Sequence, residues 1–191
     1  MQVKANDALL VVDVQNDFCP GGTLAVDNGD AVVPILNNLM PRFSTVVFTR
    51  DWHPRDHCSF SDNPKFVDGS WPPHCVADTP GAQFHPDLNL PADAMVINKA
   101  TDPDTEAYGA FDDTDLAERL RQKGIERVFV GGLTTDYCVK ETILQAVKRG
   151  FQAVLVEDAC RAVDVPQGNG ALALTEMAKA GAAFCPAESI Q

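Results

Sequence analysis

An acid, an amine and a thiol each come just after a short apolar stretch of this chain. Asp13 ends "ALLVVD", Lys99 ends "AMVINK", and Cys138 follows the glycine-rich "VGGLTTDY". A carboxylate can take the proton of a thiol, and the thiolate is a strong nucleophile toward a carbonyl carbon. A lysine between them could hold both anions in place. Together these residue types indicate covalent attack on a carbonyl compound.

Cys138 lies in the first turn of a predicted helix, Asp136 to Arg149. Free backbone N–H groups and the dipole at a helix N-terminus favour an anion, and a nearby lysine acts in the same direction. We therefore expect the pKa of the Cys138 thiol to be lowered. The glycines before it can bring backbone N–H groups close to a reacting carbonyl, as an oxyanion hole requires. The alternative is a buried structural cysteine, with Asp13 capping a loop and Lys99 on the surface.

The segment from about residue 52 to 93 has no long periodic element, yet it holds both tryptophans and all four histidines. Irregular segments of this length are usually functional or disordered, and the aromatic content argues against disorder. Carboxylate and imidazole are common ligands of zinc, and also of iron and manganese. We predict a metal site of Asp51, His53 and His74, with coordination positions left open for water or substrate.

Two further interpretations of the histidines remain open. His57 is either a fourth ligand or a residue that supports the other three. A rival structural zinc site would use the two adjacent His-Cys pairs, although their spacing matches no zinc-finger pattern. That site would consist of His57, Cys58, His74 and Cys75.

Three aromatic residues lie close in sequence to these groups. Phe18 follows Asp13, Trp71 precedes His74, and Tyr108 comes shortly after Lys99. If they face a pocket, they suit a flat aromatic ligand, and the alternative is that they belong to the core.

The elements that must position these residues follow an alternating pattern. Strand-like apolar runs alternate with stretches of helical spacing, which predicts an α/β fold with a mostly parallel sheet covered on both faces. Ligands of such sheets bind beyond the carboxyl ends of the strands, so the residues that follow four of these runs should meet at one edge. The predicted strands are Ala8 to Val12, Thr45 to Thr49, Ala94 to Asn98, Arg127 to Val130, Ala153 to Val156 and Ala182 to Cys185; the predicted helices are Asp30 to Leu39, Asp115 to Lys123, Asp136 to Arg149 and Ala171 to Ala180.

Composition narrows the class of protein. The 191 residues are expected to form a single domain, 1–191, that includes the irregular segment. A formal charge of -12 opposes binding to nucleic acid, and no apolar run approaches the ~20 residues of a membrane span. The six cysteines form no CxxC pair and the start has no signal-peptide pattern, so we expect reduced thiols in a cytoplasmic protein.

Five stretches carry a family likeness. The segments "VVDVQNDFCPGGTLAV", "TRDWHPRDHCSF", "WPPHCVADTPGAQFHPDL", "INKATD" and "GLTTDYCVKET" resemble the nicotinamidases, also called pyrazinamidases, of the isochorismatase-like cysteine hydrolase superfamily. The likeness runs in order from about Ala8 to Ala146. It implies a three-layer α/β/α fold with a six-stranded parallel sheet. The implied reaction is hydrolysis of nicotinamide to nicotinate and ammonia through a cysteine thioester, in NAD salvage, with pyrazinamide also accepted.

The resemblance also implies roles for individual residues. It implies one divalent metal ion, with zinc expected and iron or manganese as alternatives, and it is compatible with a homo-oligomer. The catalytic triad falls on Asp13, Lys99 and Cys138; the oxyanion hole on the backbone N–H groups of Thr134 and Cys138, with a cis peptide before Thr134; the aromatic pocket on Phe18, Trp71 and Tyr108; and the metal ligands on Asp51, His53 and His74, with His57 a further ligand in some members.

Two positions depart from the family pattern. Thr134 stands where alanine is common, and Gln145 stands where aspartate is frequent.

Other functions remain open: another amidase or an isochorismatase of the same superfamily, a metallo-amidohydrolase in which Cys138 is inert, or a non-catalytic binding module stabilised by zinc. Isochorismatases work without the metal ligands, so the metal-binding pattern argues against that rival.

Overall fold

The computed structural model describes residues 1–191 and contains six strands and four α-helices. A π-helical turn, Thr135–Val139, leads directly into the third α-helix. The strands are β1 Asp7–Val12, β2 Thr45–Asp51, β3 Met95–Lys99, β4 Arg127–Leu133, β5 Gln152–Arg161 and β6 Ala183–Cys185; the helices are α1 Val32–Leu39, α2 Leu116–Gln122, α3 Lys140–Lys148 and α4 Asn169–Lys179.

The six strands form one sheet in the order β3-β2-β1-β4-β5-β6, and every neighbouring pair is parallel. Each predicted strand overlaps an observed one, so the predicted parallel α/β fold is confirmed. β1 lies in the interior of the sheet and all six of its residues are buried. This explains its continuous apolar run, because a strand covered on both faces has no solvent side for polar residues.

Helices cover both faces of the sheet. Leu36 and Leu39 of α1 pack in one apolar core with β1 and β4 residues such as Leu9 and Phe129. The opposite face buries residues of the other three helices against the alternate strand positions, among them Leu120, Ile143 and Met177. The architecture is therefore three layers, α/β/α.

Some element boundaries differ from the predicted ones. β5 extends to Arg161 because its second half pairs again with β4, at Gly132 with Cys160, after an irregularity. The predicted helix from Asp136 to Arg149 is divided between the π-helical turn and α3.

The segment between β2 and β3 has no long regular element, as predicted. It contains one 3-10 turn, Pro80–Ala82, and isolated bridges such as His53 with Val76 and Phe60 with Trp71. Several of its polar and aromatic side chains are nevertheless buried, including His53, His57, Trp71 and His74. None of the four α-helices has the length and apolar character that a membrane span requires. All six cysteines are free.

Candidate active site and metal centre

Asp13, Lys99 and Cys138 meet in the interior, beyond the carboxyl ends of the strands. The Lys99 ammonium lies 3.0 Å from Asp13 Oδ2 and 3.5 Å from Cys138 Sγ. It also forms an ion pair with Asp51 Oδ1 and donates to the carbonyl of Ala107. The sulfur and one oxygen from each of the two carboxylates lie within 4.8 Å of one another. A single buried cation thus stands between two acids and a thiol.

The backbone has unusual conformations at two of these strand ends. Asp13, directly after β1, has φ +48°, and Ala100, directly after Lys99 at the end of β3, has φ +51°. Non-glycine residues rarely adopt the left-handed region, and such positions are concentrated at functional sites. The Thr49 hydroxyl donates to Asp13 Oδ1 at 2.6 Å, and Asp13 Oδ2 faces the Lys99 ammonium at 3.0 Å. A carboxylate oxygen has two lone pairs, so Oδ2 can accept a proton beside this ion pair.

Burial decides the protonation states of this group. It raises the pKa of Asp13 to about 6, although the Lys99 charge opposes the shift. Burial alone would lower the pKa of Lys99, but Asp13 and Asp51 outweigh it and the pKa is raised well above its usual value. Lys99 is therefore a fixed cation.

The thiol differs from the prediction made from its sequence position. Burial raises the pKa of Cys138 well above its usual value, and Lys99 offsets only part of this because Asp51 and Asp13 act in the opposite direction. The expected lowering by the helix N-terminus was wrong. In this structure Cys138 rests as a neutral thiol and needs a base to become a nucleophile.

Asp51, His53 and His74 form a buried group whose potential ligand atoms all lie within 4.8 Å of one another. Asp51 Oδ2 is 3.7 Å from His53 Nε2, and neither ring nitrogen of His53 has a hydrogen-bond partner. His74 Nδ1 is 2.8 Å from the Pro72 carbonyl, so that it donates there and leaves the Nε2 lone pair free. Burial lowers the pKa of His74 to about 4, which keeps the ring neutral as a ligand must be. These residues fit a divalent metal ion.

His57 lies beside this group without sharing its geometry. Its ring centroid is 4.2 Å from that of His53, but Nδ1 lies 2.8 Å from Ser59 Oγ and Nε2 lies 3.2 Å from the Thr105 carbonyl. Both ring nitrogens thus have protein partners. The rival zinc site is not assembled, because Cys58 is exposed on the surface while Cys75 is fully buried.

A cavity opens against Cys138 and the proposed metal ligands. Half of the remaining lining residues are aromatic. The Trp71 indole N–H donates to the Tyr108 hydroxyl at 2.9 Å. Asp13 and Lys99 do not line the cavity. The residues around the cavity are Phe18, Leu24, Asp51, His53, Trp71, His74, Glu106, Tyr108, Thr134, Tyr137, Cys138 and Val163.

Four of the lining residues were missed from the sequence: Leu24, Glu106, Tyr137 and Val163. Tyr137 is the most informative, because its ring meets Trp71 at 4.9 Å and 90° and lies 5.5 Å from Tyr108. Its position next to Cys138 was a usable signal. The other three lie on loops whose approach to the cavity no local pattern indicates.

The stretch between β4 and the π-helical turn brings Thr134 to the cavity wall beside Cys138. The peptide bond between Leu133 and Thr134 is cis, as the family likeness implied. Gly132 has φ +132°, and a Cβ there would lie 2.0 Å from the Val12 carbonyl oxygen. Only glycine allows β4 to approach β1 so closely at this point.

Gln145 lies outside the cavity, as expected for its place in α3. Its side chain accepts from the Phe111 N–H at 3.2 Å and donates to Asp112 Oδ2 at 2.7 Å. It therefore holds the loop that follows Tyr108.

A parallel three-layer α/β fold with a buried aspartate, lysine and cysteine beyond the carboxyl edge of its sheet fits the class of isochorismatase-like proteins. The chain belongs to the isochorismatase domain family, whose model matches residues 7–189.

Individual relatives resemble the whole chain. The nicotinamidase of Escherichia coli is 41% identical over 196 residues, which cover 92% of each chain. The pyrazinamidase of Pyrococcus horikoshii, solved in complex with zinc, is 44% identical with a TM-score of 0.86, covering 95% of this chain and 99% of the other. PnC1 from L. infantum, solved in complex with nicotinate, is 36% identical with a TM-score of 0.91, covering 100% of this chain and 98% of the other.

Proposed function

We propose that this protein hydrolyses nicotinamide to nicotinate and ammonia, with Cys138 as the nucleophile. One observation carries the proposal: the Cys138 thiol lies between an aromatic cavity and the buried Asp13–Lys99 pair, in a chain 41% identical to a nicotinamidase. The aromatic lining of the cavity, next to the thiol, suits a small ring compound. Pyrazinamide, which has the same carboxamide on a similar ring, is a second expected substrate.

The aromatic side chains would hold the substrate ring. Phe18, Trp71, Tyr108 and Tyr137 line the cavity, and offset or edge-to-face contacts with a flat ring are favourable. The Trp71–Tyr108 hydrogen bond satisfies the polar ends of both side chains. The ring then meets a rigid apolar wall, which positions the carboxamide against Cys138.

The first half of the reaction needs a base, because the thiol is neutral at rest. Asp13 takes the proton of Cys138 through Oδ2, and the sulfur attacks the carboxamide carbon. Lys99 stabilises the thiolate as it forms, from 3.5 Å away. The backbone N–H groups of Thr134 and Cys138 receive the oxyanion. The carbon–nitrogen bond then breaks, Asp13 returns its proton to the leaving nitrogen, and ammonia departs from a thioester.

The second half consumes one water molecule. Asp13, again a carboxylate, takes a proton from water as the oxygen attacks the thioester carbon. The carbon–sulfur bond breaks, nicotinate leaves, and the proton passes to the sulfur to restore the thiol. Lys99 remains charged throughout and holds Asp13 beside the reacting atoms.

Asp51, His53 and His74 would hold one divalent metal ion, and we propose zinc, with iron or manganese as alternatives. A bound divalent ion supplies a Lewis acid at the cavity wall, where it can polarise a donor atom of the substrate or a water molecule. The fit of the buried ligand group and the zinc complex of the P. horikoshii relative support this assignment. Asp51 also contacts Lys99, which links the metal ligands to the catalytic residues.

The proposed setting is NAD salvage in the cytoplasm, where nicotinate can re-enter pyridine nucleotide synthesis. The proposed metal ligands argue against the isochorismatase alternative, because isochorismatases work without them. A metallo-amidohydrolase with an inert cysteine and a non-catalytic module both predict that no thioester forms.

Ammonia release from nicotinamide tests the proposal directly. We expect release by the purified protein, loss after chelation, and recovery when zinc is restored. No release in any metal state would contradict the substrate assignment. Release that survives complete removal of metal would contradict the metal requirement and leave the cysteine mechanism standing.

A further inference from the structure

Gln15 is a fully buried residue of the loop after β1, and its side chain makes three hydrogen bonds. Nε2 donates to the carbonyls of Asp51 at 2.8 Å and Ala82 at 2.9 Å, and Oε1 accepts from the Asp51 N–H at 2.8 Å. The ladder between β1 and β2 ends at Val12 with Thr49. The Gln15 amide therefore continues this ladder with a side chain. It binds both the N–H and the C=O of Asp51, a proposed metal ligand.

Asp17, two residues further on, binds the segment that carries another ligand. Its Oδ2 accepts from the Cys75 N–H at 2.7 Å, directly after His74. The turn that contains Gly81 packs against the same carboxylate, and a Cβ at Gly81 would lie 2.1 Å from Asp17 Oδ2. This carboxylate thus has a fixed place between two loops.

We propose that Gln15 and Asp17 are positioning residues of the metal centre and set its affinity for a divalent cation. Neither residue lines the cavity, so neither touches substrate. With its backbone fixed, Asp51 keeps Oδ1 on Lys99 and Oδ2 toward His53. Residues that hydrogen-bond to metal ligands without contacting the metal typically contribute about 10- to 100-fold to metal affinity.

The chemistry of Gln15 is specific to an amide. Both its donor and its acceptor are used by the Asp51 backbone, so a glutamate would place a carboxylate against two carbonyl oxygens. Methionine has a similar length and removes all three hydrogen bonds. Gln15→Met therefore tests the contact without adding a charge.

The experiment uses the full chain, stripped of metal, with zinc as the probe. Zinc affinity is measured by competition with a chromophoric chelator, and unfolding is followed with and without zinc. We expect about 10- to 100-fold weaker binding for Gln15→Met, and at least about 3-fold for Asp17→Asn, which keeps the shape but loses the charge. Asp7→Asn is the control, since Asp7 is a buried acid at the opposite end of β1, paired with Arg127. Asp7→Asn should lower Tm and leave zinc affinity within about 2-fold of the wild-type value.

The inference rests on the metal site of the proposed function, and the outcomes separate the two. If the wild type does not bind zinc, both fail. If the wild type binds and the folded variants bind equally well, only the positioning role is overturned. Equal weakening in Asp7→Asn would also overturn it, because general loss of stability would then explain the effect. If Gln15→Met does not fold, Asp17→Asn decides the question.

Discussion

The Lys99 ammonium lies 3.0 Å from the Asp13 carboxylate, and both side chains are fully buried. A fully buried ion pair contributes little net stability, because burying its two charges costs about as much as their attraction returns. Removing one partner, however, leaves the other charge buried and unpaired. Lys99 also contacts Asp51, so its loss would expose two buried carboxylates to mutual repulsion.

Lys99→Met is therefore expected to destabilise the fold by about 3–5 kcal/mol and to abolish turnover. Lys140→Met is the matched control, because Lys140 pairs with Glu141 and Glu176 near the surface and its loss should cost at most ~1 kcal/mol. Urea unfolding of both variants measures the difference. Equal stability losses would show that the buried pair has no special role.

The pH dependence follows from the pKa of Asp13, which burial raises to about 6. The mechanism requires the carboxylate, so activity is full above this pKa and lost as pH falls through it. We expect kcat/KM to decline about tenfold per pH unit below about pH 6. A profile that stays flat from pH 7 to pH 5, with the protein still folded, would exclude Asp13 as the base.

The hydrogen bond from Trp71 to Tyr108 predicts a defect confined to substrate binding. Tyr108→Phe leaves the ring but removes the acceptor of the indole N–H, a loss of about 1 kcal/mol. KM for nicotinamide should rise about fivefold with kcat nearly unchanged. Steady-state kinetics decide, and a fall in kcat at constant KM would instead place Tyr108 in the chemical step.

Gly132 and Gly124 form a natural pair for a stability test. Both have positive φ, but a Cβ at Gly132 would lie 2.0 Å from Val12 O, whereas nothing lies within 4 Å of one at Gly124. Gly124→Ala should cost about 1 kcal/mol, and Gly132→Ala several times more. Thermal unfolding compares them. Similar losses would mean that β4 can move away from β1 without penalty.

The sheet was predictable because its strands are buried on both faces and so appear as short apolar runs. The positions of Asp13, Lys99 and Cys138 followed from the rule that the strand ends share one edge. The irregular segment was different, since its contacts depend on loops meeting across the molecule. No periodicity indicates that Gln15 would hold Asp51, or that burial would outweigh the helix N-terminus and raise the pKa of Cys138.

The covalent role of Cys138 is the central claim, and Cys138→Ala tests it most directly. Removing the sulfur leaves the cavity and the metal ligands in place, so binding of nicotinamide should persist while turnover stops. Ammonia release is measured at saturating nicotinamide with zinc supplied, and wild-type protein quenched during turnover is examined by mass spectrometry. We predict release below about a thousandth of the wild-type rate, together with a nicotinoyl adduct on Cys138 of the wild type. Release well above that level, from a folded variant, would contradict the thioester route.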